Sequence, residues 1–258
     1  MAIFDSHCHL YWNEEQVSVA EQLQLAAEAG VTKLLCVGTD ADSSQRCLEI
    51  SEQHSQVIAS VGLHPNDVGD LRELDAKLDE IAALSQKGTW HAIGETGLDF
   101  FHNRSEAAAQ EAALLFHLDL ANQMHLPIII HCREAVEQLV TILEKRGQPV
   151  NGVMHCFSEG PEYVTRLLDL GLHFSFAGNI SYPKSQAIRD SAACIPLERL
   201  LVETDAPFLA PQPVRGKKNL SAYIVHTLDA VAAARDQSVA DIRDQVFNNT
   251  TKLFDFAD

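Results

Sequence analysis

Eight short apolar, β-branched runs alternate with longer amphipathic segments, and this alternation restricts the fold more than any other feature of the chain. The runs are "AIF" before Asp5, "KLLCVGT" from Lys33, "VIASVGLHP" from Val57, "WHAIGETGLD" from Trp90, "PIIIHC" from Pro127, "VNGVMHCF" from Val150, "HFSFAG" from His173 and "RLLVETDAP" from Arg199. Between them lie stretches such as "VSVAEQLQLAAEAG" and "SEAAAQEAALLFHLDLANQMH", whose apolar residues recur at three- and four-residue spacing, as on one face of a helix. Gly30 and Gly171 stand where helices stop, and Ser105 with Glu106 where one opens. Strands that are apolar throughout are parallel and covered on both faces. Eight strand–helix units and a final helix over residues 239–255 predict a (β/α)8 TIM-type barrel, and 258 residues suit one domain spanning 1–258. Residues 207–219, "PFLAPQPVRGKKN", lack apolar periodicity and follow the last strand, so they read as a loop on the functional face.

In such a barrel every strand's C-terminal end meets the same rim, which gives position a chemical meaning. His7 and His9 fall at the end of the first run, His64 after the third and Glu95 after the fourth. His131 follows the fifth, His155 the sixth and Asp205 the eighth. His7, His9, Glu95, His131, His155 and Asp205 are nitrogen and oxygen donors of the kind that divalent metals take. Six donors exceed one tetrahedral ion and suit two ions sharing a carboxylate. We assign one ion to His7, His9, Glu95 and Asp205 and the other to Glu95, His131 and His155, with Glu95 as the bridge. Residues two apart in a strand share a face, so His7 and His9 grip together while Cys8 points away. By the same alternation Cys132 and Cys156 face the helices. Ligation by these cysteines is the rival reading and requires broken strand geometry. His54, His91, His102, His117, His125, His173 and His226 read as structural or surface residues. His64 reads as a substrate contact.

The six cysteines form no CxxC pair, and the first residues have neither a basic start nor a long apolar core of a signal peptide, which predicts a cytoplasmic protein with reduced thiols and no membrane association. Nineteen basic against 36 acidic residues, a net charge of −17, disfavour nonspecific coating of nucleic acid. A nucleic-acid substrate remains open, because bound cations and a few basic side chains invert the potential inside one cleft. Arg133, Lys184, Arg215 and Lys217 are the basic residues placed for phosphate contact. Phe100, Phe101 and Phe157 are placed to stack a base, although packing is the commoner fate of such residues.

The segments "FDSHCH", "VGLHP", "AIGETGLDF", "PIIIHCRE", "GVMHCFSE", "GNISYPKS", "LLVETDAP", "PVRGKKN" and "FNNTTKLF" resemble, in this order and across the whole chain, the TatD family of metal-dependent hydrolases. The resemblance implies a TIM-type barrel of the metallo-dependent hydrolase type, two divalent ions (Mg²⁺, Mn²⁺ or Zn²⁺) and hydrolysis of DNA with 3′ to 5′ exonuclease character. It places the metal ligands on His7, His9, Glu95, His131, His155 and Asp205. The family commonly follows its RGK-x-N motif with Glu-Pro, whereas this chain has Leu220-Ser221.

Three functions follow from the residues and the resemblance. The first is a phosphodiesterase acting on DNA ends, in which two cations activate a water and Asp205 is the general base. The second is an ester or amide hydrolase of the same metal type, such as a deacylase of charged RNA. The third is a metal-binding scaffold without turnover, disfavoured because structural sites are closed by protein ligands. A monomer is expected, since the sequence has no coiled-coil or interface pattern.

Overall fold

The computed structural model describes residues 2–256. Its strands are β1 (Ile3–Cys8), β2 (Val31–Val37), β3 (Val57–Val61), β4 (Ala92–Asp99), β5 (Ile128–Arg133), β6 (Gly152–Met154), β7 (His173–Phe176) and β8 (Leu200–Val202). They alternate with α1 (Val19–Glu28), α2 (Ala41–Gln53), α3 (Leu71–Ser85), α4 (Ala107–Met124), α5 (Val136–Arg146), α6 (Val164–Asp169), α7 (Gln186–Cys194) and α8 (Ile224–Arg235), with α9 (Val239–Leu253) at the end. All neighbouring strands pair in parallel in the order β1 to β8. The ring closes just beyond β8, where Cys8 bridges Ala206, Asp205 N–H donates to His7 O at 2.9 Å and His9 N–H donates to Ala206 O at 2.8 Å. The eight-stranded α/β barrel read from the sequence is the observed fold.

Local chemistry sets the helix ends. Ser18, Asp40, Asp70 and Ser238 accept hydrogen bonds from first-turn amides of α1, α2, α3 and α9, satisfying donors that a helix leaves free. Gly30 and Gly171 take φ values of 88° and 97° behind α1 and α6, the left-handed stops expected there. Ser105 departs from expectation. Glu106 is the cap residue of α4 without a side-chain bond, and Ser105 Oγ instead accepts from Gly69 N–H at 2.9 Å, tying this loop to the one before α3. β6 and β8 are also shorter than the apolar runs that announced them, so His155, Glu203 and Asp205 follow their strands. The ladder continues through them by single bonds, His155 N–H to Ile130 O at 3.1 Å and Glu203 N–H to Phe176 O at 3.0 Å.

Two apolar cores result. Phe4, Leu35, Val37, Ile58, Ala92, Ile129, Val153 and Leu201 meet inside the barrel and are closed below by Leu253 and Phe254. The second core, between strands and helices, is much larger and includes Ile3, Cys8, Leu34, Ile93, Leu98, Ile130, Phe174 and Phe176. The floor is therefore largely hydrocarbon, with Lys33 Nζ donating to Phe256 O at 2.7 Å, and the candidate ligands collect at the other end.

Candidate metal centre at the barrel mouth

Glu95 lies at the middle of that end, 3% exposed. Its Oε1 is 2.9 Å from His155 Nε2, 3.0 Å from His131 Nδ1 and 3.5 Å from His64 Nε2, while Oε2 is 3.3 Å from His7 Nε2 and 3.9 Å from His9 Nε2. Asp205 Oδ1 joins the second group at 3.4 Å from His9 Nε2 and 3.7 Å from His7 Nε2. His7 and His9 Nε2 are 3.3 Å apart, and His131 Nδ1 is 3.2 Å from His155 Nε2. Atoms that coordinate one ion at about 2.0–2.2 Å stand about 3.0–3.6 Å from one another, so both groups have the spacing of a coordination sphere.

The outer ring nitrogens support the same reading. His9 Nδ1–H donates to Val37 O at 2.8 Å, His155 Nδ1 meets Glu203 Oε1 at 3.2 Å, and His131 Nε2 meets Asp99 Oδ2 at 3.3 Å. Each contact holds a proton on the far nitrogen and leaves the lone pair of the other facing inward, as metal-binding histidines require. His7 Nδ1 and Glu203 Oε2 are buried without a partner among the described residues, and His7, His155 and Glu203 themselves form a three-atom grouping able to hold an ion. The donor set thus fits divalent cations.

Electrostatics follow from this crowding. Burial alone would raise the pKa of Glu95, but the His155, His64 and His7 imidazoles and the His131 hydrogen bond outweigh it and hold the carboxyl well below its usual range. Asp205 is lowered in the same way, burial being overcome by its hydrogen bond with His9 and by His7 and His155. His155 shows the converse: burial opposes its charge, and Glu95 and Glu203 nonetheless push its pKa well above the ordinary value. The mouth is an anionic cup lined by imidazoles, complementary to cations.

His64 differs in that the nitrogen it turns toward the site carries the proton. Asn66 N–H donates to its Nδ1 at 3.1 Å, and burial pushes its pKa down to about 3. A neutral ring that accepts at Nδ1 carries its proton on Nε2, so His64 presents a donor to the site. The basic residues stand further out. The Arg133 guanidinium lies 3.9 Å over the Phe101 ring and that of Arg215 4.1 Å over Tyr182. Lys184 and Arg215 line a cleft of about 570 Å³ with Tyr182, Pro183, Ser185 and Gln212. Lys217 is exposed on the same loop, where the side-chain contacts are made by its neighbour: Lys218 Nζ donates to Asn13 Oδ1 at 3.0 Å and to Gln16.

Other expectations divide. Cys8 and Cys132 pack toward the helix layer, whereas Cys156 leaves β6 with φ +48° and meets Ser158 and Asn179 at the rim. All six cysteines are free. Phe157 is buried against Phe174 and Phe176, Phe100 is partly buried, and Phe101 is exposed. Two buried carboxyl groups that contact the ligand-candidate rings escape the sequence reading, Asp99, which also takes His102 Nδ1 at 2.7 Å, and Glu203. Their signal was parity, since Glu203 stands two residues before Asp205 and Asp99 four after Glu95.

A family model described as TatD related DNase matches residues 4–255. A metal-dependent hydrolase of Bacillus subtilis, YabD, is 33% identical over 253 residues, covering 98% of each chain. A Pantoea ananatis protein named 3′-5′ ssDNA/RNA exonuclease TatD is 36% identical over 236 residues, 89% of this chain and 90% of that one. The crystal structure of YjjV, a TatD homologue from Escherichia coli, matches with a TM-score of 0.87 and 30% identity, covering 99% of this chain and 98% of that one.

Proposed function

From the premise that this chain belongs to the TatD-related DNase family and is a metal-dependent hydrolase, we propose that it is a single-domain nuclease that removes nucleotides from the 3′ ends of DNA. The observation that carries the reading is Glu95, whose two oxygens each face a separate group of histidines. His7, His9, Glu95 and Asp205 would hold one divalent cation, and Glu95, His131 and His155 the other, with Mg²⁺, Mn²⁺ and Zn²⁺ all acceptable to this donor set. When bound, such ions neutralise charge on the phosphoryl oxygens and make water a stronger acid. The fit of the site to cations supports this assignment, as does the single-strand exonuclease named among the relatives.

The protein's own groups divide the remaining work. Asp205 has the most exposed carboxyl of the ligand set, with a side chain 13% accessible against 4% for Glu95, and its depressed pKa keeps it ionised at neutral pH to take the proton of the attacking water. His64 Nε2–H donates to a phosphoryl oxygen. Glu203 and Asp99 fix the His155 and His131 rings. Arg133, Lys184, Arg215 and Lys217 supply positive charge where the following phosphates pass. No helix of the described residues is long and apolar enough to cross a membrane, and the free thiols suit a reducing cytoplasm. We propose a monomer acting there.

The test is release of the terminal nucleotide from 3′-labelled single-stranded DNA with Mg²⁺, Mn²⁺ or Zn²⁺, beside Glu95→Ala. Release by the wild type with metal and a loss of about a thousandfold in the variant are expected. Intact DNA in every metal, together with deacylation of an aminoacylated RNA, would transfer the site to ester hydrolysis.

A further inference from the structure

Burying large apolar side chains is favourable, so those left open deserve an account. Among the described residues they are Trp12, Leu71, Phe101, Phe208 and Val239. Leu71 and Val239 merely begin α3 and α9. The other three are aromatic and follow β1, β4 and β8 at the rim that carries the metal-ligand candidates. Trp12 is 52% and Phe208 43% exposed, yet their ring centroids are 5.1 Å apart at 80°, an edge-to-face corner with open surface on both rings. Both also meet the His9 ring edge-on, at 5.7 and 6.1 Å.

The corner is held from below. Asn219 Nδ2 donates to Phe208 O and to Thr204 O, both at 2.7 Å, while Lys218 joins the loop after β8 to Asn13 and Gln16 behind Trp12. Tyr11 stacks on Trp12 at 5.9 Å and places its hydroxyl 3.3 Å from His9 Nδ1. Rings fixed before a ligand arrives lose little freedom on binding it. The chain that carries Phe208 then passes Ala210, whose carbonyl accepts from Tyr182 Oη at 3.0 Å, and reaches Arg215 and the Lys184 cleft. An aromatic corner beside the ligand cluster and cationic side chains further along the same loop match a planar base followed by phosphates.

We propose that Trp12 and Phe208 form a subsite that stacks the terminal nucleobase of a single strand. The inference rests on the nuclease reading and adds to it the base as a recognised group. Stacking tolerates every base, so the subsite confers preference for an unpaired end without sequence preference. A duplex end must first fray to use it, at a cost of unstacking.

Fluorescence isolates the corner from catalysis. The chain has two tryptophans, and Trp90 is 5% exposed, so quenching by a nucleic acid reports Trp12. In EDTA, a short oligothymidylate quenches the wild-type protein, and the same strand lacking its terminal base does so much less. With metal, Trp12→Ala and Phe208→Ala each raise KM for the intact strand about tenfold at nearly unchanged kcat, and Trp12→Phe recovers most of the loss. The strand with the missing base gives the wild type the KM of the alanine variants. Equal quenching by both strands overturns the subsite, as does unchanged KM in both alanine variants while the wild type still cuts. If the wild type cuts no strand in any metal, the nuclease reading falls, and quenching alone then decides for or against the corner. Quenching by an N-acetylated aromatic amino acid amide, without quenching by the oligothymidylate, overturns the subsite in favour of an acyl group.

Discussion

Strands β1 and β4 deliver their functional side chains differently from β5, β6 and β8. In the second set plain alternation suffices: Ile129 faces the barrel interior and His131 follows two residues on, as His155 follows Val153 and Glu203 follows Leu201. In the first set alternation alone would fail. Phe4 and Ala92 face inward, so His7 and Glu95, each three residues later, belong to the outer face by parity. Register supplies the difference. Three residue steps of β1, Asp5 to Cys8, lie against two of β2, Leu34 to Cys36, and three of β4, Ile93 to Thr96, lie against two of β5, Ile128 to Ile130. Each extra residue turns the side chains beyond it to the opposite face. The carboxylate common to both histidine groups, together with His7 and His9, thus depends on two bulges, whereas His131 and His155 follow ordinary alternation and Asp205 is turned by its own φ of 53°.

The largest effect should come from the bulged strand's own ligand candidate. Glu95→Gln is expected to reduce hydrolysis about a thousandfold and to remove both ions, whereas His155→Ala removes one, as metal content per chain would show. Equal metal content in the two variants would remove the distinction between the strands. Next comes the backbone that permits the bulge. Gly94 and Gly97 have φ values of 131° and 143°, and a Cβ at Gly97 would come within 1.9 Å of His131 O. Gly97→Ala should cost about 2–4 kcal/mol, from backbone strain and the clash together. Gly147→Ala, with φ 67° and open space around it, should cost about 1 kcal/mol, and urea titration of the two variants measures the difference.

A comparable effect is expected with pH, through the strand beside β4. His117 is buried in α4, donates from Nδ1 to Ala113 O at 2.7 Å and accepts Leu63 N–H at Nε2 at 3.1 Å, next to His64. Burial pushes its pKa down from 6.5 to about 4. Above pH 6.5 both folded and unfolded chains carry it neutral. Between 6.5 and 4 the unfolded chain gains a proton that the folded one refuses, so stability falls by up to about 3 kcal/mol, and below 4 this group costs nothing more. His117→Gln should flatten that part of the stability profile of the metal-free protein. The smallest effect belongs to the regular set: Glu203→Gln loosens the His155 ring and should weaken metal binding about 10- to 100-fold by calorimetry.

The same division governs what the sequence made legible. The barrel could be read because strands covered on both faces are apolar throughout, and the rim could be read because strand ends share it. His131, His155 and Asp205 stood out as polar residues closing apolar runs. Glu203 and Asp99 obey the same alternation, but each shares its run with a second carboxylate, Asp205 or Glu95, and the pattern alone does not tell the two apart. The bulges carried no pattern of their own beyond the glycines of "IGETGLD". The reading of His7 and Glu95 as inward-facing therefore succeeded on chemistry, against parity. Trp12 and Phe208 were illegible for a different reason, since only exposure separates an open ring from a packed one. Lys217 and Lys218 were likewise indistinguishable until the fold showed which of them clamps Asn13.

The seam where β1 meets the chain beyond β8 has a consequence in time. His7 and His9 are synthesised before their partner Asp205, which is hydrogen-bonded through its amide to the His7 carbonyl and follows almost two hundred positions later. Until then the nascent polypeptide holds only part of its candidate metal centre. The candidate centre is complete in no unfinished copy, because its last donor is placed only when the ring is shut.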